Sequence, residues 1–253
     1  MTTNETDKEK KLKNTVEMSR YIDIELYNKV EMTHPYYIEM LQEILKQVRK
    51  NKNNDNKTKI LEIGAGTGIV TSRLANIQNV TIDSLEIDTN CCKALMKHIK
   101  NKNVSIVQGD AVTFIKNKPY DIVVSSFAHD HIHFSRRKKL AKNIASNLKQ
   151  NGVYIVGLEI LPKFSTEKER KQALYKYHNH IIGKAKKDGH HKLAKLEHEA
   201  LVSGIKKIGD FKTHVRAFEN EMKPHFIISF KEKIGPINKK TGGVYVYTFK
   251  KRN

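Results

Sequence analysis

Two stretches of the chain carry residues whose types and spacing could do chemistry. The first, SSFAHDHIHF at 125–134, follows the apolar run YDIVV and sets His129, His131 and His133 on alternate positions around Asp130. Alternating His and Asp can ligate zinc or iron. A neutral imidazole can equally accept a proton from a hydroxyl, amine or thiol nucleophile. The second, LEIGAGTGIV at 61–70, sets Glu62, Gly64, Gly66 and Gly68 at alternate positions after an apolar run. Such glycines let the backbone turn sharply and approach a ligand closely, and the start of the following helix offers unpaired N–H groups.

The glycine spacing excludes two common nucleotide sites. A nicotinamide fingerprint needs G-x-G-x-x-G, and Ile69 stands where its third glycine would fall; the Gly-Lys-Ser/Thr of a P-loop is missing as well. An acid beside the loop repels phosphate and favours a cationic ligand group.

These residues need a scaffold, and the rest of the sequence describes one. Strand-like runs KILEI, VTIDSLEID, NVSIVQ, YDIVVSS and VYIVGLEILP alternate with amphipathic stretches from Gly68, Thr89 and Ser135, and a short helix is expected through Phe114. This βαβα rhythm predicts a parallel sheet with helices on both faces. HFIISFKEKIG and GGVYVYTFKK read as two last strands joined by a turn around Gly242-Gly243, most simply antiparallel. The expected fold is α/β, a doubly wound, mostly parallel seven-stranded sheet with an antiparallel last strand, plus helical caps.

Flanking segments are helical. Residues 1–15 read as a polar tail, and in 16–50 the positions Tyr37, Leu41, Ile44, Leu45 and Val48 recur at helical spacing. Thr166 and Glu169 form a capping-box pattern ahead of a helix bearing Leu174, Tyr177, Ile181, Ile182 and Ala185 inward. Asp188-Gly189 breaks it, and a second helix carries Leu193, Leu196, Ala200 and Leu201. The chain therefore divides into a tail and cap (1–54), a cofactor-binding core (55–162), a helical insertion or substrate lid (163–222) and the last two strands (223–253).

Composition bounds the partners. The 253 residues carry a net charge of +20, which suits nucleic acid, but Lys greatly outnumbers Arg, the better residue for phosphate and base recognition. The adjacent Cys91 and Cys92 offer neither a disulfide framework nor CxxC zinc spacing. No apolar run approaches the roughly 20 residues of a membrane span, and the polar start MTTNETDKEKKLK is unlike a signal peptide, so a cytoplasmic protein is expected.

In the order of its motifs the sequence resembles the class I S-adenosylmethionine-dependent methyltransferases over roughly 55–155. The resemblance implies that Glu62, Gly64, Ala65, Gly66 and Gly68 form the loop around the methionine part of the cofactor. It gives Glu86 the ribose hydroxyls, lays Ile87 on the adenine, and sets Asp110, with Ala111 beside it, near the adenine amino group. Asp88 reads as a helix N-cap. Ser126 and Phe127 reach the cofactor edge, and SSFAHDHIHF becomes the active-site loop at the methyl group. His129 and His131 are then the expected acid–base residues, with Asp130 orienting one of them and His133 outside; no resident metal is expected. Tyr36 and Tyr37 of the amino-terminal cap, and Tyr177 and His178 of the insertion with Glu197 nearby, are expected at the substrate. The expected acceptor is an O or N atom of a small metabolite. Neither an (Asp/Asn/Ser)-Pro-Pro-(Tyr/Phe) motif after the fourth strand nor a suitably placed cysteine nucleophile is present. An RNA methyltransferase and a non-catalytic cofactor-binding partner protein remain the alternatives.

Overall fold

The computed structural model describes residue 19 and residues 24–53 and 56–252. The polar tail lies outside the described residues. The core is one sheet of order β3-β2-β1-β4-β5-β8-β7. Its strands are β1 (Thr58–Ile63), β2 (Val80–Glu86), β3 (Val104–Gln108), β4 (Tyr120–Ser126), β5 (Leu148–Leu161), β7 (Phe226–Gly235) and β8 (Gly243–Lys251). Strands β1 to β5 run parallel, whereas β8 runs antiparallel to both neighbours, β5 and β7. An eighth strand, β6 (Thr213–His214), pairs with the carboxyl end of β5. Two residues carry no hydrophobic period, so the sequence does not announce it.

Strand residues alternate between two cores, as the pleat requires. Leu61, Val123, Tyr154 and Val156 pack on one face, under α5 (Arg137–Asn147) and α8 (Val215–Met222). Ile60, Ile82, Val124 and Ile155 pack on the other, under α2 (Tyr37–Asn51) and α3 (Ile69–Ala75). Helix α4 (Thr89–His98) follows β2.

The amino-terminal helical region is two helices, α1 (Ile24–Glu31) and α2. Tyr36, with a left-handed φ of 72°, closes the turn between them, after Pro35. No helix forms through Phe114. The Asp110 side chain accepts from Val112 N, and its carbonyl accepts from Thr113 and Phe114 N, so a turn held by Asp110 competes with helix.

The insertion folds as α6 (Glu167–Lys187) and α7 (His191–Lys206), and Thr166 and Glu169 make the capping box. Its last part is no lid: Phe218 and Met222 of α8 lie in the main core. The helical pair thus ends at Lys206, and 207–214 returns to the carboxyl end of β5. Among the described residues no helix is long and apolar enough to cross a membrane.

Candidate active site

The carboxyl ends of β1, β2 and β4 border one cleft, where ligands of open α/β sheets bind. Gly64 and Gly66 have φ of +69° and +56°, the left-handed region that favours glycine. Gly64 N and Ala65 N both donate to Leu85 O, pinning the turn to β2. A Cβ on Gly64 would lie 2.5 Å from Ala128 Cβ, while one on Gly66 would meet nothing within 4 Å. Gly66 therefore faces open space in the cleft. Gly68, expected at the cofactor, instead caps α3 and abuts Leu95, outside the cleft lining.

Glu86 lines the cleft at the end of β2. Its Oε2 accepts from Gly66 N at 2.7 Å, and its Oε1 from Ile87 N at 2.8 Å and Asp88 N at 2.9 Å. A carboxylate offers roughly four acceptor positions, so one remains for a ligand hydroxyl. Asp88 is the N-cap of α4, accepting from Asn90 and Cys91 N. Asp110 lines the cleft and accepts from Arg136 Nη2. Ala65, Ile87, Ala111, Ser126 and Phe127 complete the wall, together with Tyr37. The open cradle at Gly66, the remaining acceptor on Glu86 and the apolar wall beyond it fit S-adenosylmethionine.

Glu62 does not reach this cleft. It is buried and accepts from Thr71 Oγ1 at 2.6 Å and Ser84 Oγ at 2.8 Å. Burial pushes its carboxyl up to about 7, against those hydrogen bonds. It ties β1, α3 and β2 together behind the glycine turn.

Residues 129–131 of the histidine loop form one 3₁₀ turn. At three residues per turn, positions two apart point to different sides. His131 lines both the cleft and a second cavity, and its Nδ1 lies 2.7 Å from Gly209 O. A carbonyl only accepts, so Nδ1 carries the hydrogen and Nε2 keeps the lone pair of the neutral ring. His129 lines neither cavity. It is buried against Phe218, with Nε2 3.2 Å from Glu221 Oε2. Burial, with the Arg137 charge, lowers its pKa to about 4. Asp130 orients neither histidine. Its Oδ2 accepts from Glu159 N at 3.4 Å, and its Oδ1 has no hydrogen-bond partner although Asp130 is only 2 % exposed. His133 packs on Phe211 and caps the next turn, outside both cavities.

The second cavity, of about 320 Å³, shares Tyr27, Phe127 and His131 with the cleft. Helices α1 and α7, Glu159 of β5 and the segment 209–212 wall it. His34 Nε2 lies 3.2 Å from Glu159 Oε1 and 3.8 Å from Glu197 Oε1. Burial opposes its charge, yet Glu159, Glu197 and Glu31 together raise its pKa to about 9. Lys212 Nζ lies 2.9 Å from Glu159 Oε2 and 2.5 Å from Asp210 Oδ2. Burial opposes the Glu159 charge as well, but Lys212 and His34 hold the carboxyl well below its ordinary range.

The four residues expected at the substrate are dispersed. Tyr37 lines the cleft rather than the second cavity. Tyr36 lines neither; its ring stacks on His180. Tyr177 and His178 stand behind the cavity wall, where the Tyr177 hydroxyl donates to Glu159 Oε1 and His178 Nδ1 lies 2.8 Å from Glu197 Oε2. Tyr27, Glu31, His34, Glu159, Asp210 and Lys212 line the cavity and escape sequence reasoning. One signal was available: Glu159 is the single acid within the apolar run VYIVGLEIL.

The methyltransferase domain family matches residues 60–152, the segment that builds the cleft. An uncharacterized methyltransferase of Oceanobacillus iheyensis is 30% identical over 196 residues, covering 77% of this chain and 79% of that one. Ribosomal RNA small subunit methyltransferase A of Sulfurimonas denitrificans is 32% identical over 133 residues, but the match spans only 49% of this chain and 45% of that protein. Among solved structures, the N-methyltransferase NodS of Bradyrhizobium japonicum, in complex with S-adenosyl-L-homocysteine, superposes with a TM-score of 0.58. That superposition covers 87% of this chain and 89% of that one at 11% identity, a likeness of fold. With the cleft built from the same segment that the family matches, the chain belongs to the class I S-adenosylmethionine-dependent methyltransferases.

Proposed function

We propose that this protein methylates an O or N atom of a small molecule held in the second cavity, with His131 as general base. When bound, S-adenosylmethionine supplies a methyl group on a sulfonium, already activated for in-line displacement. The protein must then hold the acceptor and, where the acceptor is protonated, take its proton. His131 stands where cleft and cavity meet, and the Gly209 carbonyl fixes its tautomer so that Nε2 can accept that proton. Glu86 and the glycine turn hold the cofactor, and Asp110 closes the far side of its cleft.

The carrying observation is the character of the second cavity. Glu31, Asp130, Glu159, Glu197 and Asp210 all line it and all are buried. Carboxylates repel a phosphate backbone. Among the described residues the buried lysines and arginines are Arg137, Arg170 and Lys212, and of these Lys212 alone lines the cavity. A solvated lysine surface accounts for the +20 charge without a nucleic-acid groove at the chemistry.

The test supplies labelled S-adenosylmethionine to the purified protein, with either a metabolite extract or total RNA. Label is expected in the small-molecule fraction. Label in RNA, with binding that weakens steeply with salt, would support the RNA reading that the ribosomal RNA relative raises.

A further inference from the structure

The wall of the second cavity carries more acidic than basic side chains. Five buried carboxylates line it: Glu31, Asp130, Glu159, Glu197 and Asp210. The buried cations lining it are His34 and Lys212. Lys212 is shared between Glu159 and Asp210, and His34 lies between Glu159 and Glu197. Glu31 and Asp130 lie outside those ion pairs. Asp130 Oδ1 has no hydrogen-bond partner, although the side chain is almost fully buried and lines the cavity. A buried polar atom left in this way is destabilising unless a ligand or water satisfies it.

We propose that the second cavity recognises a small organic cation, a primary or secondary amine in its ammonium form, through Asp130, Glu31 and Glu197. This rests on the reading of that cavity as the acceptor's site. An ammonium group offers two or three N–H donors in a compact charge, which matches carboxylates converging from different elements. These elements are the loop after β4, α1 and α7. The organic body has apolar wall to lie on, in Phe127, Leu196 and Ala200. Tyr27 and Phe127 add aromatic rings to the wall, and aromatic rings attract cations over their faces.

The protonation of the site agrees. Burial pushes the Glu31 carboxyl up to about 7, with Glu159 and Glu197 adding to the shift. Burial, with the Glu159 and Asp210 charges, pushes Asp130 up to about 8 against Lys212 and Arg137. At neutral pH Asp130, and Glu31 in part, therefore hold a proton in place of a counter-cation. An arriving ammonium takes over that neutralisation.

His34, Glu159 and Glu197 also bring ligand atoms within 4.8 Å of one another, close enough to converge on a metal ion. An organic ammonium suits the cavity better. The pKa of His34 is raised to about 9, so a metal ion would have to displace its proton, which weakens ligation at neutral pH. Lys212 Nζ already sits 2.9 Å from Glu159, where a divalent ion would meet a fixed positive charge.

The experiment titrates the full chain, saturated with S-adenosyl-L-homocysteine, by calorimetry. The probes are phenethylamine, putrescine and spermidine, with phenethyl alcohol, 1,4-butanediol and hydrocinnamate as matched alcohols and acid. At least one amine is expected to bind roughly tenfold more tightly than its alcohol, and the acid not at all. Glu197→Gln and Asp130→Asn are each expected to weaken that amine roughly tenfold. S-adenosyl-L-homocysteine affinity should hold in both, which shows that each variant is folded. Glu31→Gln is the third arm should Glu197→Gln lose S-adenosyl-L-homocysteine binding. Amines no tighter than their alcohols, or amine binding unchanged in all the variants, would overturn the proposal. So would Mn²⁺ binding that Glu197→Gln abolishes and that excludes the amines. The readout is binding, so its failure is distinct from failure of the acceptor reading, which label transferred to RNA would show.

Discussion

The Nδ1 of His131 lies 2.7 Å from the carbonyl oxygen of Gly209, and this one contact settles which ring nitrogen can act as a base. Gly209 belongs to the segment that leads back to β6, far along the chain from the histidine loop. A backbone carbonyl is an invariant acceptor, so neutral His131 keeps its lone pair on Nε2.

Replacing His131 with Asn is therefore expected to lower turnover by roughly 10²- to 10⁴-fold, the usual worth of a general base. Affinity for S-adenosyl-L-homocysteine, measured by calorimetry, should change little, because the proposed cofactor contacts are made by Glu86 and the glycine turn. Turnover within a factor of about two of wild type would remove His131 from the mechanism.

Most of the fold was legible, because the strands are apolar, their connections short and their caps explicit. Thr166 and Glu169 form the capping box, Asp88 caps α4, and the βαβα rhythm marks the parallel strands β1 to β5. The glycine turn and Glu86 meet at the cleft because both end parallel neighbouring strands. What stayed hidden depends on side-chain direction. His129 and His131 differ by two positions, yet a 3₁₀ turn sends one to Glu221 and the other to the cavities. Asp210 and Lys212 reach the site through β6, whose two residues leave no periodic trace. Tyr177 and His178 sit on the expected helix face, but the carboxylates of Glu159 and Glu197 stand between them and the cavity.

Stability is expected to fall as pH rises from about 6.5 to 8, and Asp130→Asn should flatten that fall. The folded-state pKa of Asp130 is raised, from 3.8 to about 8. Its contribution is therefore greatest below its unfolded value and is lost as pH rises towards 8. His34, raised from 6.5 to about 9, has the same sign, and Glu31 and Glu62 add to the loss up to about 7. The opposing groups are finished by then: His129 is depressed to about 4, so its gain is complete above its unfolded 6.5. Thermal melts at the two pH values check this. An equal drop in Asp130→Asn and wild type would show that Asp130 does not titrate in this window.

Glu86→Ala is expected to weaken S-adenosyl-L-homocysteine by roughly tenfold to a hundredfold. The variant also strips an acceptor from the N–H groups of Gly66, Ile87 and Asp88, so the glycine turn loses its tie to β2's end. Glu62→Gln, by contrast, removes a buried carboxyl that touches Thr71 and Ser84 but not the cleft. Its cost should appear in the melting temperature and hardly in ligand affinity. Calorimetry and thermal melts on both variants separate the two acids, both of which the resemblance sets at the cofactor.

Alanine at two glycines of the turn should fail for different reasons. At Gly64 a Cβ would lie 2.5 Å from Ala128 Cβ, so the turn and the loop after β4 must separate. Overpacking of this kind costs about 1–3 kcal/mol, on top of about 1–2 kcal/mol for a left-handed residue that is not glycine. Gly64→Ala should therefore melt markedly lower and disturb the histidine loop that begins beside Ala128. At Gly66 the left-handed φ of +56° carries the same backbone penalty, but the new methyl meets nothing within 4 Å. It projects into the cleft proposed to hold the cofactor. Gly66→Ala should thus lose most of its S-adenosyl-L-homocysteine affinity for about 1–2 kcal/mol of stability. Equal losses of affinity and stability in the two variants would mean that Gly66 does not border the bound cofactor.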